Sequence, residues 1–427
     1  MADTTSLTDV FSAPPHFKIH EVDRKHEARH LAEAAAAPAV TLAPNLGPLV
    51  AFAGTWTGQG FNTIFRPDSL KTPTPLPHPV TGSDNVLELN LTQETLSFSP
   101  SLGSVPNRGT AQQADIFLNA VPYLQTISDV TVPPANGIHF EPGMWLSVPS
   151  TTNPKEPPTL VRMASIPHGT TVVAQGILLH ALAGKPTIDP IDITPFTGGK
   201  PLSKIPFPSQ KANQQTTPRI PQDLTQFIAA GTITQPILDD PNTILRNQIK
   251  HQNITETLVI GISTHPGAPL FGGPLPAGAT PTTPPPAIAP SFGGGPANIA
   301  FLLGVPNPPP TAVGPNAESL QMDAVFWIET VTYEIAVPPI PAGSPPVVLK
   351  PVQTNPPVPL QPSFVAAIPF VPNKKFAGGT ITMKTTQIQY SQKVILNFNS
   401  LSWPHASVAS LVPADPIPIP SNLLPLT

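Results

Sequence analysis

The chain has no cysteine in its 427 residues. That excludes disulfide staples, thiolate nucleophiles, cysteine-ligated zinc and iron–sulfur clusters together. Charge is also scarce: 11 % of residues are Asp, Glu, Lys or Arg, and the net charge is −4. No Lys/Arg cluster exceeds two or three residues. The basic footprint that a nucleic acid or an anionic lipid surface requires is therefore missing. No apolar run reaches the roughly 18 residues of a membrane-spanning helix. The segment from Met1 to Val10 lacks the basic start and apolar centre of a secretory signal. These absences predict a cytoplasmic protein with no nucleic-acid and no membrane partner, in which the sequons at Asn90 and Asn253 carry no sugar. There is no G-x-S-x-G elbow, no phosphate-binding P-loop, no dinucleotide G-x-G-x-x-G after a strand and no close carboxylate pair in a catalytic context.

Proline is abundant, with 64 residues beside 28 glycines, yet 40 % of the chain is apolar, enough to fill a sizeable core. The pattern predicts an all-β chain. Strand-like runs recur at about 50, 87–98, 112–128, 138–148, 159–167 and 170–180, then at 323–335, 378–390 and 393–412, each bounded by turn residues. The segments 256–263 and 297–303 read as a further strand pair. The expectation is an antiparallel closed barrel of about ten strands with an N-terminal helix and long Pro/Gly-rich insertions. Residues 1–44 would carry a helix over 17–36 and a linker, the helix offering a homo-oligomer contact. Residues 45–415 would form one barrel domain, with insertions at about 185–250, 265–296, 304–320 and 337–376, and 416–427 a tail. A short helix is expected over 223–230 within the first insertion.

The most informative segment is Gly54-Thr55-Trp56-Thr57-Gly58-Gln59-Gly60. Alternation puts Gly54, Trp56, Gly58 and Gly60 on one face, where glycines let the strand curl and the indole plugs one end of a lumen. Four more segments bear on it: Glu94-Thr95-Leu96-Ser97-Phe98; His139, Glu141, Gly143 and Trp145 on one face of a strand; the turn Pro167-His168-Gly169; and a late strand from Pro404 through His405, Ala409 and Leu411. Together they resemble the nitrobindins, haem-binding barrels related to the lipocalins (calycin-like). The resemblance implies haem as cofactor, His405 as the residue that ligates its iron, and chemistry on small oxidants or nitrogen oxides, such as isomerisation of peroxynitrite or weak peroxidase turnover. The chain is much longer than a typical nitrobindin, and its insertion falls between the strands of His168 and His405.

On the residues themselves, alternation gathers His405, Ser407, Ala409 and Leu411 on one face, a small-residue surface beside an imidazole with room for a flat ligand. A histidine hydrogen-bonded at a strand end is the plainer alternative. His139 and His168 are candidate distal hydrogen-bond donors, and Trp56 and Ser407 candidate lining residues. Glu329 interrupts the apolar face Val325, Trp327, Val331, Tyr333; a carboxylate pointing into a lumen would have a raised pKa and serve as acid or base, unless the other face is the core. A haem-free barrel that carries or cyclises a hydrophobic metabolite would use Glu329, Tyr333, Trp327 and Arg162. A structural or assembly protein is a third class that the low charge suits. His26-Glu27-Ala28-Arg29-His30 spells the zinc-protease motif, but Glu21, Asp23, Arg24, Lys25 and Glu33 around it describe a solvated helix, and the match reads as coincidence.

Overall fold

The computed structural model describes residues 46–153, 155–198, 200–265, 295–298 and 316–427. The helix expected over 17–36, its oligomer contact and the histidine motif at 26–30 lie outside the described residues. Ten long strands make the barrel: β1 (Gly54–Pro67), β2 (Asn85–Phe98), β3 (Ile116–Asp129), β4 (Asn136–Val148), β5 (Thr159–Ser165), β6 (Thr170–Ala183), β7 (Asn253–Ser263), β8 (Glu318–Val337), β9 (Gly379–Phe398) and β10 (Leu401–Pro413). Each pairs antiparallel with its neighbour in the chain, and β10 closes onto β1 through Trp56↔Pro413 to Thr63↔Ala406. The result is a closed up-and-down meander, with no free edge among these ten strands.

The glycines of β1 are required by this closure. A Cβ on Gly58 would lie 2.0 Å from the Ser410 carbonyl, and one on Gly60 would lie 2.1 Å from that of Val408. Only glycine lets the β10 backbone cross β1 so closely. At the β9–β10 hairpin, Asn399 and Ser400 both take positive φ (48° and 62°) between Phe398 and Leu401. This two-residue turn divides the run expected as one strand over 393–412. The first run, expected at about 50, is β1, and the apolar residues just before it, Gly47–Phe52, form a 3-10 turn. Of the segment expected over 297–303 only 297 and 298 lie within the described residues; β7 pairs with β6 and β8, while Gly295–Asn298 lies beside the start of β6.

Two hydrophobic cores lie on the two faces of the wall. Inside, Trp56, Leu96, Phe98, Val121, Tyr123, Trp145, Phe326 and Tyr390 pack through the lumen. Outside, the insertion after β6 folds into α1 (Thr225–Ala230), α2 (Gln235–Asp239) and α3 (Thr243–Ile249) and seats Leu224, Phe227, Ile237, Leu238, Leu245 and Ile249 on the outer wall at Phe61, Phe65, Leu87, Leu89, Val259, Trp327, Val331 and Val408. Each such side chain contributes about 1.5–3 kcal/mol on full burial. The irregular chain around the helices is tied by Arg219, whose guanidinium donates to the carbonyls of Ser209, Lys211, Gln214, Pro221 and Gln222. Five backbone acceptors satisfy a buried cation that makes no salt bridge among the described residues.

Candidate functional site

The two ends of the lumen differ. At one end the turn Gly47–Phe52 inserts Leu49 and Phe52, and the Trp56 indole N–H donates to the Phe52 carbonyl at 2.9 Å. Trp56 thus plugs the lumen as the alternation predicted, but at the end away from the histidines, so it lines no ligand space. At the other end lies a cavity of about 360 Å³. Its walls are largely apolar, with Ile64, Ile166, Val172, Met322, Val394 and Leu396, and its polar groups include His139, Glu141, Arg162, Gln392, His168 and His405. A pocket of this size, mostly apolar with a few convergent polar groups, is the usual form of a small-molecule site.

His405 reaches the cavity from β10 in the orientation that alternation gives, with Ala409 and Leu411 further along the same lumen face. Its Nδ1 lies 3.1 Å from the Thr63 carbonyl oxygen. A carbonyl can only accept, so Nδ1 carries the proton and Nε2 keeps its lone pair. Burial depresses the imidazole to about 4, against the pull of the Thr63 carbonyl, and His139 and His168 push the same way as burial. His405 is therefore neutral at ordinary pH, its tautomer fixed by the backbone. Ser407, the next lumen residue, accepts from Asn62 at 2.8 Å and faces a smaller niche below the cavity.

His139 and His168 come together, rings perpendicular with centroids 5.2 Å apart. Burial lowers the His168 pKa, helped by His139. The His139 Nε2 lies 3.1 Å from Glu141, which also receives Arg162 at 2.5 Å and the Tyr123 hydroxyl. Burial alone would raise Glu141; the Arg162 guanidinium, with hydrogen bonds from His139 and Tyr123, overcomes it and holds the carboxyl at about 2. Arg162 donates onward to Tyr123 at 2.8 Å and Gln392 at 2.8 Å. The cavity floor is thus an ion pair whose charges cancel. Glu141, Tyr123 and Gln392 were not singled out from the sequence. The H-x-E alternation of His139 and Glu141 was the available signal, whereas the pairing with Arg162 depends on the register of β4 with β5.

Glu329 is not in the lumen. On β8 the lumen residues are Met322, Ala324, Phe326 and Ile328, and Trp327, Val331 and Tyr333 belong with Glu329 to the outer wall. There Glu329 accepts from Gln387 at 2.6 Å within a cluster with Gln252 and Gln248. Burial raises its pKa to about 8, with the Gln387 bond opposing. Of the four residues expected to serve a haem-free catalyst, only Arg162 lines the cavity.

Among the described residues no three or more His, Asp or Glu side chains converge as a cage for a bare metal ion, and no helix is long and apolar enough to cross a membrane. What the cavity offers a bound group is one neutral imidazole nitrogen, the His405 Nε2. In comparisons with protein-family models, curated proteins and solved structures the chain matches none of them, so the geometry of this cavity carries the functional reading.

Proposed function

We propose that the chain binds a bulky, largely apolar small molecule at the open end of its lumen, haem through His405 foremost, and acts there on small oxidants or nitrogen oxides. The observation that carries this reading is His405 itself: a neutral imidazole on the cavity wall whose Nδ1–H is held by the Thr63 carbonyl and whose Nε2 is left as a ligand nitrogen. A second partner that fixes tautomer and ring plane is the usual companion of a metal-ligating histidine. Haem, when bound, would supply the redox-active iron. The protein's own part is to exclude water with Ile64, Val172, Val394 and Leu396, and to present His168, with His139 packed against it, as a donor to a small reactant. The Glu141 carboxylate keeps the His139 Nε2 proton oriented. The same apolar walls would serve a haem-free hydrophobic metabolite, and that is the second reading.

Titration of the full-length protein with haem separates the two. A sharp Soret band that saturates, and that is lost in His405→Ala, supports haem ligation. Binding of apolar dyes to the cavity with no saturable haem spectrum would hand the site to the second reading.

A further inference from the structure

Below the cavity floor is a second, smaller space of about 20 Å³. That exceeds the roughly 10–15 Å³ needed by one water. Its polar lining includes Gln125, Tyr123, Tyr390, His139, Arg162, Gln392, His405 and Ser407, and of these His139, Arg162, Gln392 and His405 also line the ligand cavity above. The niche therefore adjoins the ligand site through shared side chains.

On the far side of Tyr390 sits Glu94, only 2 % exposed, on the lumen face of β2 opposite Gly58. Its Oε2 receives the Tyr390 hydroxyl at 2.6 Å and Gln125 at 3.2 Å, and its Oε1 receives Thr92 at 3.1 Å. Gln125 also donates to the Tyr390 oxygen at 3.1 Å. Unlike Glu141, Glu94 has no ion-pair partner among the described residues. Full burial disfavours its charged form while three donors favour it, and those opposed effects leave a carboxyl able to hold or release a proton. The titratable groups that bear on it are Tyr390 from β9 and His139 from β4; β1 offers it only glycines.

We propose that the niche binds one water, and that Glu94 is a proton reservoir for the ligand cavity, connected to it through the Tyr390 hydroxyl and that water. A phenol both donates and accepts. In delivery, the Glu94 acid gives its proton to the Tyr390 oxygen as the Tyr390 proton passes to the water, and a water proton passes to the acceptor in the cavity. One proton moves in total, and Glu94 is left ionised under its three donors. Glu94 touches no ligand and acts through the chain, so it is a positioning and storage group. The inference takes from the proposed function only that the cavity is a ligand site, and it needs no haem.

The test uses the full-length, ligand-free protein. A high-resolution crystal structure is expected to show one ordered water bonded to Tyr390 and to at least one of His405, His139, Gln392 or Arg162. Infrared difference spectra between the wild type and Glu94→Gln should show a protonated-carboxyl band of Glu94, separate from that of Glu329, which disappears as pH rises. On transfer to heavy water that band should shift promptly in the wild type and more slowly, by about an order of magnitude, in Tyr390→Phe. A dry niche in the wild type, a Glu94 without an acid band, or equal exchange in folded Tyr390→Phe would each overturn the relay. The wild-type crystal structure decides even if the variants fold poorly. Haem titration can fail while these measurements succeed, and the converse holds, so the two proposals are separable.

Discussion

The inner and outer faces of the barrel wall both bury polar groups, but in opposite settings. Inside, Glu141 meets Arg162 and His139 beside a cavity, and its charge is kept. Outside, Glu329 accepts from a neutral amide, Gln387, under α3, and burial suppresses its charge. Burial is similar on the two faces, with Glu141 1 % exposed and Glu329 0 %. Depth alone therefore does not mark a site. What separates the two carboxyls is the partner's charge and the presence of a path to a ligand space.

Breaking the inner pair should have the largest effect. Arg162→Leu leaves Glu141 buried without its cation, and is expected to cost about 3–5 kcal/mol in chemical denaturation. A double variant, Arg162→Leu with Glu141→Leu, should recover much of that loss, since it removes both charges. A double variant as unstable as the single one would show that the pair is not the source.

The outer carboxyl should reveal itself through pH. Glu329 holds its proton in the fold up to about pH 8, whereas the unfolded chain loses it in the ordinary carboxylate range. Between those limits the native state binds the extra proton, so stability falls as pH rises and levels off above about 8. Glu329→Gln should flatten that decline and stabilise the protein at alkaline pH. Denaturation midpoints across the pH range measure it, and an unchanged slope would place the ionisation elsewhere.

How much of this was legible in the chain follows from the same contrast. The meander could be read because alternating strands ended in Pro, Gly, Asn and Asp, and β1 could be placed by its glycines. The lumen face of β10 could be read because His405, Ser407, Ala409 and Leu411 alternate with apolar residues. On β8 both faces are apolar, one toward the lumen and one toward α1 to α3, so a period of two could not say which face was inside. That is why the residues alone left open whether Glu329, Trp327 and Tyr333 face the lumen or the outer wall. The helix expected over 223–230 is α1, but α2 and α3, of 5 and 7 residues, are too short to display a helical period, and so the outer core was hidden. Asn399-Ser400 lacks the Asn-Gly signature of its turn, which is how two strands read as one.

A smaller effect belongs to His405. Its folded pKa is about 4 against 6.5 for the free side chain, so in that interval the unfolded chain takes up a proton that the fold refuses. Stability should fall as pH drops from about 6.5 to about 4, and His405→Gln should remove that part of the acid slope. Thermal melts in matched buffers would check it, and an equal slope in the variant would contradict a neutral, buried His405.

The measurement closest to the central claim compares the two faces directly, by titrating haem into the wild type, His405→Ala and Glu329→Gln and following the Soret band. The account predicts saturable binding in the wild type, loss of the axial spectrum in His405→Ala, and wild-type behaviour in Glu329→Gln. Wild-type behaviour in His405→Ala, or loss in a folded Glu329→Gln, would contradict it.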